Sequence, residues 1–570
     1  MVKLDTKWVQ KPFEEQEVIS LQKSLRIHPA LCQILNIRGI KSFENARKFF
    51  RPTLKNLHNP FLMQDMEIAI QRINQAINYG EKILIYGDYD VDGTTAVSLV
   101  YSYFKEITDN LSYYVPNRYS EGYGISYQAI DWAKENEFSL IVCLDCGIKA
   151  VDKVGYANEL GIDFVICDHH LPGDVLPPAV AVLDPKRKDC NYPFKELSGA
   201  GIGFKLVQAY NLFHRRDLKN IYCLLDLVAI SIAADIVPID GENRILAHYG
   251  LERLNNNPRP GIKQMLKLSD NTKKLTISDI VFVIGPRINA AGRMDDARKA
   301  IKLLISQVDE KAIDRAEVLQ EHNQARRQID ADITQEALSM INDNIDQANK
   351  KSTVLYQPHW HKGVIGIVAS RLMQHFYRPT VILTSNNGMA TGSARSVNGF
   401  DIYEALKECE ELIEQFGGHK YAAGLTIQTD NVPEFISKFE KVVSNNITDD
   451  QLIPEVRVDC EIKLKYLNEK FYKILKQMAP FGPANMRPVF RVNNVYDTGH
   501  SSIVGKDHLK LNIKQADSFV YKGIAYGLAS KYSLVSSGEP FDIVFTLEEN
   551  EFRNTNTLQF NVKDVKASEK

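Results

Sequence analysis

Apolar residues fall along this chain in several kinds of run, and the change from one to the next divides it. Through about residue 60 they recur at helical spacing in short amphipathic stretches that end at Arg51-Pro52. From Lys82 the pattern becomes short unbroken apolar runs alternating with helical periods. Lys82-Ile83-Leu84-Ile85-Tyr86, Leu140-Ile141-Val142-Cys143-Leu144 and Phe164-Val165-Ile166-Cys167 read as strands covered on both faces, with helices near 94–106, 126–136 and 150–160 between them. Buried strands separated by helices predict a parallel α/β sheet. From Arg298 to Asn349 the chain is poor in Gly and Pro, and Ile301, Leu304, Ile313, Leu319, Ile329, Ile333 and Leu338 recur at roughly helical spacing. That predicts a long helical connector, with an interruption near Val308-Asp309. Residues 352–447 return to α/β alternation, with strands at Thr353–Tyr356 and Thr380–Thr384 and a helix over Gly363–Phe376. Beyond Ile453 the pattern is mostly β with polar turns, which predicts a small barrel.

Composition changes this picture little. The 570 residues are 44% hydrophobic and 25% charged, ordinary globular values for several domains. The formal net charge is −2, so the basic excess of a simple nucleic-acid binder is absent, and any such contact must come from a local patch. The tail is mildly basic, with 17 Lys and Arg against 14 Asp and Glu over residues 455–570. The eight cysteines form no disulfide framework, and Cys143-x-x-Cys146 has no second pair at zinc-ribbon spacing, so it reads as buried structural thiol. Met1-Val2-Lys3-Leu4-Asp5 lacks the apolar core of a secretion signal, and no run approaches a membrane span. A reduced, cytoplasmic, soluble protein is the expectation.

The chemistry concentrates where the first predicted strand ends. Tyr86-Gly87-Asp88-Tyr89-Asp90-Val91-Asp92-Gly93 places three alternating carboxylates at the carboxyl end of a buried strand, where an open parallel sheet has its ligand crevice. Like charges so close call for a cation to offset their repulsion. An EF-hand loop also opens D-x-D-x-D-G, but its twelfth position from Asp88 is Leu99 rather than the bidentate Glu. Two further strands end in the same chemistry: Leu140–Leu144 delivers Asp145, and Phe164–Cys167 delivers Asp168-His169-His170. Asp235 follows the apolar stretch Leu227–Ala234. Oxygen ligands with an imidazole suit Mn²⁺ or Mg²⁺ better than zinc.

This ordered set resembles the four signature motifs of the DHH phosphoesterase superfamily. The resemblance implies two divalent cations, Mn²⁺ ahead of Mg²⁺, that hold the attacking hydroxide and stabilise the leaving oxygen of an in-line displacement. It implies that Asp145 bridges the metals, with Asp88 and Asp90 on one side and Asp92, His169 and Asp235 on the other. It further implies that His170 faces the scissile phosphate and that Asp168 orients the pair. The likeness continues through Pro286–Met294, Trp360–Arg371, Gly392–Ser396, Gly417–Gly424, Pro480–Pro483 and Gly505–Lys510, which resemble an Arg-rich element, a DHHA1 substrate-binding domain and an OB-like tail. The implied organisation is an N-terminal helical segment over 1–60, a DHH catalytic domain over 61–297, a connector over 298–350, a DHHA1 domain over 351–450 and an OB-like barrel over 451–570.

The remaining candidates concern a strand substrate. Gly392-Ser393-Ala394-Arg395 offers a hydroxyl, amides and a guanidinium suited to a terminal phosphate, which the resemblance makes a 5′ phosphate. Gly417-Gly418-His419 could be a helix stop, but its Gly-rich backbone allows close approach to a phosphate, and Gly418 and His419 are further candidates. Tyr113–Tyr123 interleaves aromatics with a cation, as single-strand binding requires, and Arg118 and Tyr123 are its candidates. Arg287 and Arg293 are expected along the nucleic-acid backbone. His359 and His361 lack zinc spacing and read as structural, and Ser198–Gly203 reads as a tight packing turn. Together these imply an exonuclease that degrades single-stranded DNA 5′ to 3′ into nucleoside 5′-monophosphates, in recombination and repair. A monomer is expected, with a single-strand-binding protein and a helicase as partners. A nano-RNase or cyclic-dinucleotide phosphodiesterase is the alternative within the superfamily, but needs neither connector nor β tail. A catalytically inactive replication scaffold is the alternative of another class, and would have lost aspartates that are all retained here.

Overall fold

The computed structural model describes residues 5–269, 273–343, 350–386, 388–516, 518–552 and 555–568. The chain forms two compact units. One comprises Lys48–Arg326 with Met478–Met486, and the other Met1–Arg47, Arg327–Gln477 and Arg487–Lys570.

The first unit is built on five parallel strands: β1 (Lys82–Gly87), β2 (Leu111–Tyr114), β3 (Phe138–Leu144), β4 (Asp163–Cys167) and β5 (Ala181–Leu183), in the order β2-β1-β3-β4-β5. The apolar runs of β1, β3 and β4 are buried on both faces, which is why they show no alternation. Helix α1 (Val91–Lys105) leaves β1 and lies buried, packed against α2 (Gly199–Phe213) and α3 (Leu225–Ala234). The strand order reverses between β1 and β3. Side chains at their carboxyl ends therefore meet at a topological switch point.

The expected connector is two helices, Arg298–Leu304 and Asp309–Asn342, broken where Val308-Asp309 was read as an interruption. Residues 344–349 of that connector lie outside the described residues.

In the second unit, strands Thr353–Tyr356, Thr380–Asn386, Met389–Arg395, Ala422–Gln428 and Gln415–His419 neighbour one another in that order. Beyond them, Val489–Asp497, Phe541–Phe552, Thr555–Ala567, Tyr521–Ala525 and His508–Lys514 pair in sequence, and Tyr496 and Asp497 pair back to Lys514 and Ile513. That last pairing closes five of the sheet's seven strands into a barrel, and Cys460–Glu461 and Ser502–Val504 are the two strands outside the ring. The N-terminal residues differ from a purely helical segment. Lys7–Gln10 is a strand that pairs in parallel with Glu455–Val458, and Thr6 and Trp8 donate to Asp564 in the barrel. Among the described residues no helix is long and apolar enough to cross a membrane.

Candidate active site

The carboxyl ends of the parallel strands carry the predicted acids to one place. Asp88 follows β1, Asp145 follows β3, and Asp168-His169-His170 follows β4. Asp235 comes from the last turn of helix α3, not from a strand. His169 Nε2 lies 3.1 Å from Asp145 Oδ1, 3.6 Å from Asp235 Oδ2 and 3.7 Å from Asp92 Oδ2. Asp92, His169 and Asp235 can share one ion, as can Asp145, His169 and His170. Asp90 is the cap of α1 and accepts from the Gly93 amide at 3.0 Å.

Both oxygens of Asp88 and both ring nitrogens of His169 are buried without a well-aligned hydrogen bond among the described residues, although Nε2 of His169 faces carboxylates and the Tyr89 and Gly124 backbone influences Asp88. Such groups are costly unless something else satisfies them. Like charges compound the cost. Burial and the Asp90 charge hold Asp88 well above the ordinary carboxylate range, and burial with Asp92 and Asp90 does the same to Asp145. Asp235 is pushed up to about 8 by burial and by Asp92 and Asp90. Burial keeps His169 neutral and so fit to ligate a metal. Asp145 itself sits in the left-handed region, with φ 59°, a conformation that costs an aspartate about 1–3 kcal/mol and clusters at functional sites.

Asp168 does a different job. Its Oδ1 accepts from the amide of His169 at 2.8 Å and lies 2.7 Å from His170 Nδ1, while Oδ2 accepts from the Ile148 amide at 2.9 Å. Burial opposes charge on His170, but the Asp168 hydrogen bond and charge, with Asp235 and Asp92, carry its pKa up to about 9. A half-exposed imidazolium at the mouth of the crevice results. The ring of Tyr123 stands edge-on to it at 6.4 Å between centroids.

Several contributors were not foreseen. The Ser198–Gly203 stretch is no turn; it is the first turn of buried helix α2, capped by the Ser198 side chain. Its Gly199 and Ala200 amides donate to Asp92 at 2.7 and 2.8 Å, and Ser231 Oγ donates to the same carboxylate at 2.7 Å. A Cβ on Gly199 would lie 2.7–2.9 Å from Cβ, Oδ1 and Cγ of Asp145, so only glycine lets the helix end come this close. Asp184, following β5, is fully buried with Oδ2 unpartnered, and burial raises it to about 7. Its Ala-Val-Leu-Asp sequence repeats the strand-then-acid pattern in a run too short to notice.

The strand-contact candidates divide. The Arg118 guanidinium lies 4.0 Å over the Tyr89 ring and donates to Gly292 O at 3.2 Å, beside the crevice. Tyr119 donates its hydroxyl to the carbonyl of Arg293, which is half-buried in the same region. Arg287 is a correction: it is 8% exposed, donates to Gln320 Oε1 and Val283 O, and ties its helix to Asp309–Asn342. Ser393, Arg395, Gly418 and His419 lie in the other unit. Arg395 donates to Ser393 Oγ at 2.9 Å, Ala394 O at 2.7 Å and Ser370 Oγ at 3.2 Å, all neutral oxygens. A Cβ on Gly366 would stand 3.0 Å from Ser393 Oγ and 3.1 Å from Arg395 Nη2, so the start of helix Ile365–Phe376 abuts this pair. Gly417, Gly424 and Ser393 align in register across three strands, leaving bare backbone beside Ser393. Gly418 and His419 are exposed on the edge strand.

Comparison with known proteins follows the same division. The model of the DHH family N-terminal domain matches residues 82–232, that of the DHHA1 domain 349–445 and that of the RecJ OB domain 458–564. The single-stranded-DNA-specific exonuclease RecJ of Bacillus subtilis is 36% identical over 98% of this chain and 71% of its own length. The chain belongs to the RecJ family. RecJ of Salmonella typhimurium is 33% identical over 94% of this chain and 96% of its own. The crystal structure of RecJ in complex with Mn²⁺ from Thermus thermophilus shares the fold, with a TM-score of 0.84 at 23% identity over 99% of this chain and 80% of that one. A RecJ crystal structure bound to manganese is 28% identical, with a TM-score of 0.61, over 70% of this chain and 98% of its own. A DHH domain, a DHHA1 domain and an OB domain follow one another along this chain. The acidic crevice lies within or just beyond the first of them.

Proposed function

We propose that this RecJ-family hydrolase is a divalent-metal-dependent exonuclease that degrades single-stranded DNA from its 5′ end to nucleoside 5′-monophosphates. The observation that carries the reading is the buried ring of carboxylates around His169, with Asp88 and His169 lacking well-aligned hydrogen bonds: a donor set that fits hard divalent cations. Asp88, Asp90 and Asp145 would hold one ion, and Asp145, Asp92, His169 and Asp235 a second. Bound there, the ions would activate water and neutralise charge on the leaving oxygen. Mn²⁺ is the preferred ion in this reading, and RecJ structures are named with Mn²⁺ and with Mg²⁺.

The chain's own groups do the rest. His170, protonated and held by Asp168, donates to a phosphate oxygen at the crevice mouth. Tyr123 offers an exposed ring for a base, and Arg118 and Arg293 meet the backbone. Arg395, whose buried charge meets only neutral oxygens, takes a terminal phosphate together with Ser393, beside Gly418 and His419. A cleaving centre alone does not know which end it has met; a second site that accepts a phosphorylated terminus supplies direction. The enzyme acts as a cytoplasmic monomer in recombination and repair, with a single-strand-binding protein and a helicase as partners. Single strands labelled at either end, digested with Mn²⁺, Mg²⁺ or EDTA, test the reading. It expects early release of the 5′ label as mononucleotide, and none in EDTA. Early release of the 3′ label, or cleavage in EDTA, overturns it.

A further inference from the structure

The Pro480–Pro483 stretch, read from sequence as part of the barrel, belongs to the catalytic unit. Residues Met478–Met486 lie between helix Glu469–Lys476 and strand Val489–Asp497 in the chain, yet pack with Lys48–Arg326. Arg244 holds their start, donating from Nη1 to Met478 O and from Nη2 to Ala479 O, each at 2.9 Å, with its guanidinium 3.8 Å over the Phe49 ring. Asn485 closes the loop on itself. Its Nδ2 donates to Met478 O at 2.9 Å and Pro480 O at 2.7 Å, and its backbone exchanges hydrogen bonds with Gly482 at 3.1 and 2.9 Å. The closed turn then presents Pro483 O, which accepts from the Ile239 amide at 2.7 Å. Gly482 lies against the Ile239 side chain, and a Cβ there would come within 2.6 Å of Ile239 Cγ1.

Ile239 stands four residues after Asp235. The intervening Ile236 is in the left-handed region with φ 61°, a genuine outlier for a β-branched side chain, and 66% exposed, so its own packing does not hold it there. Upstream the run is anchored where the Asp235 amide donates to Ser231 O at 2.9 Å. Downstream the anchors are the Val237 and Ile239 side chains buried in the unit's core, the loop's grip on Ile239, and Asn243 Nδ2 donating to Pro238 O at 3.1 Å. Released at Ile239, Ile236 would relax toward an ordinary conformation and turn the Asp235 carboxylate from His169. Strain of this kind persists only where surrounding structure over-determines it.

We propose that the Met478–Met486 loop is a positioning element for Asp235: it pins Ile239, and so sets the affinity of the metal centre. The inference rests on the reading of Asp235 as a metal ligand. Groups that orient ligands without touching the metal are each worth about ten- to a hundredfold in metal affinity.

Mn²⁺ binding to the full chain, by calorimetry and by loss of the free-ion paramagnetic resonance signal, tests it. Gly482→Ala displaces Ile239, while Asn485→Ala loosens the turn without adding bulk, and decides the matter should the first variant misfold. Each is expected to bind Mn²⁺ about ten- to a hundredfold more weakly, to keep its circular dichroism, and to regain cleavage at saturating Mn²⁺. A purely structural loop would lower the melting temperature and leave Mn²⁺ affinity unchanged. Unchanged affinity in both variants, with Asp235→Asn weakened, overturns the proposal alone. Unchanged affinity in Asp235→Asn overturns the ligand assignment, and the proposal with it.

Discussion

The acidic crevice and the Ser393–Arg395 pair are both polar sites made by β-structure, yet they stand in opposite states of satisfaction. In the crevice Asp88 and His169 have buried atoms without a well-aligned hydrogen bond, and burial with neighbouring acids drives Asp88, Asp145 and Asp235 toward protonation. At the pair, the Arg395 guanidinium already donates to three oxygens, and only burial pulls its pKa down. The first site is incomplete by its own chemistry; the second is held in place by hydrogen bonds from Nε and Nη1 and can accept an anion as one contact among several. Losses should therefore be all-or-none for the crevice's shared ligand and graded at the pair.

The largest effect should come from Asp145→Asn. Removing a shared ligand forfeits several kcal/mol, so cleavage should fall about a thousandfold or more while circular dichroism is unchanged. Near wild-type rates in excess Mn²⁺ would erase the distinction between the sites. Ser231→Ala deletes one hydrogen bond to Asp92, so Mn²⁺ affinity should fall about ten- to a hundredfold, with cleavage restored by excess ion. For Arg395→Ala, a lost charge-assisted contact costs about 1.5–3 kcal/mol. Binding of 5′-phosphorylated strands should weaken by roughly one to two decades, with 5′-hydroxyl strands largely spared. Equal loss on both substrates would show that the pair does not read the end.

A pH test sharpens the comparison further. A carboxylate whose folded pKa is raised, as Asp235 is from 3.8 to about 8, adds stability at low pH that is lost as pH rises through the folded value. Chelator-treated protein should therefore melt progressively lower across that window, and Mn²⁺ should stabilise it most at the alkaline end, where its ligands are already deprotonated, and release protons when it binds lower in the window. A melting temperature that rises with pH under chelation would contradict the crowding of unneutralised acids. The smallest effect on activity belongs to Arg287→Met. It should cost about 1 kcal/mol of stability by removing hydrogen bonds to part-buried acceptors, and leave affinity for single strands unchanged.

What was legible in the sequence was local. Unbroken apolar runs named β1, β3 and β4, and acids directly after such runs named Asp88, Asp145 and Asp168, because strand and ligand are adjacent in the chain. The misses were non-local or ambiguous. Ser198-Gly199-Ala200-Gly201 has the composition of a turn, and only its distance to Asp92 reveals a helix start gripping a carboxylate. Arg287 has the look of a surface cation, but its acceptor Gln320 comes from another helix. Pairing of Lys7–Gln10 with Glu455–Val458, and the hydrogen bond from the Ile239 amide to Pro483 O, join residues far apart in the chain through backbone groups that carry no pattern.

Anomalous diffraction from crystals grown with Mn²⁺ tests the central claim most directly. Two ions should bind within the crevice, one among Asp92, Asp145, His169 and Asp235 and the other among Asp88, Asp90 and Asp145. Density for manganese elsewhere, with the crevice vacant at saturating ion, would contradict the account.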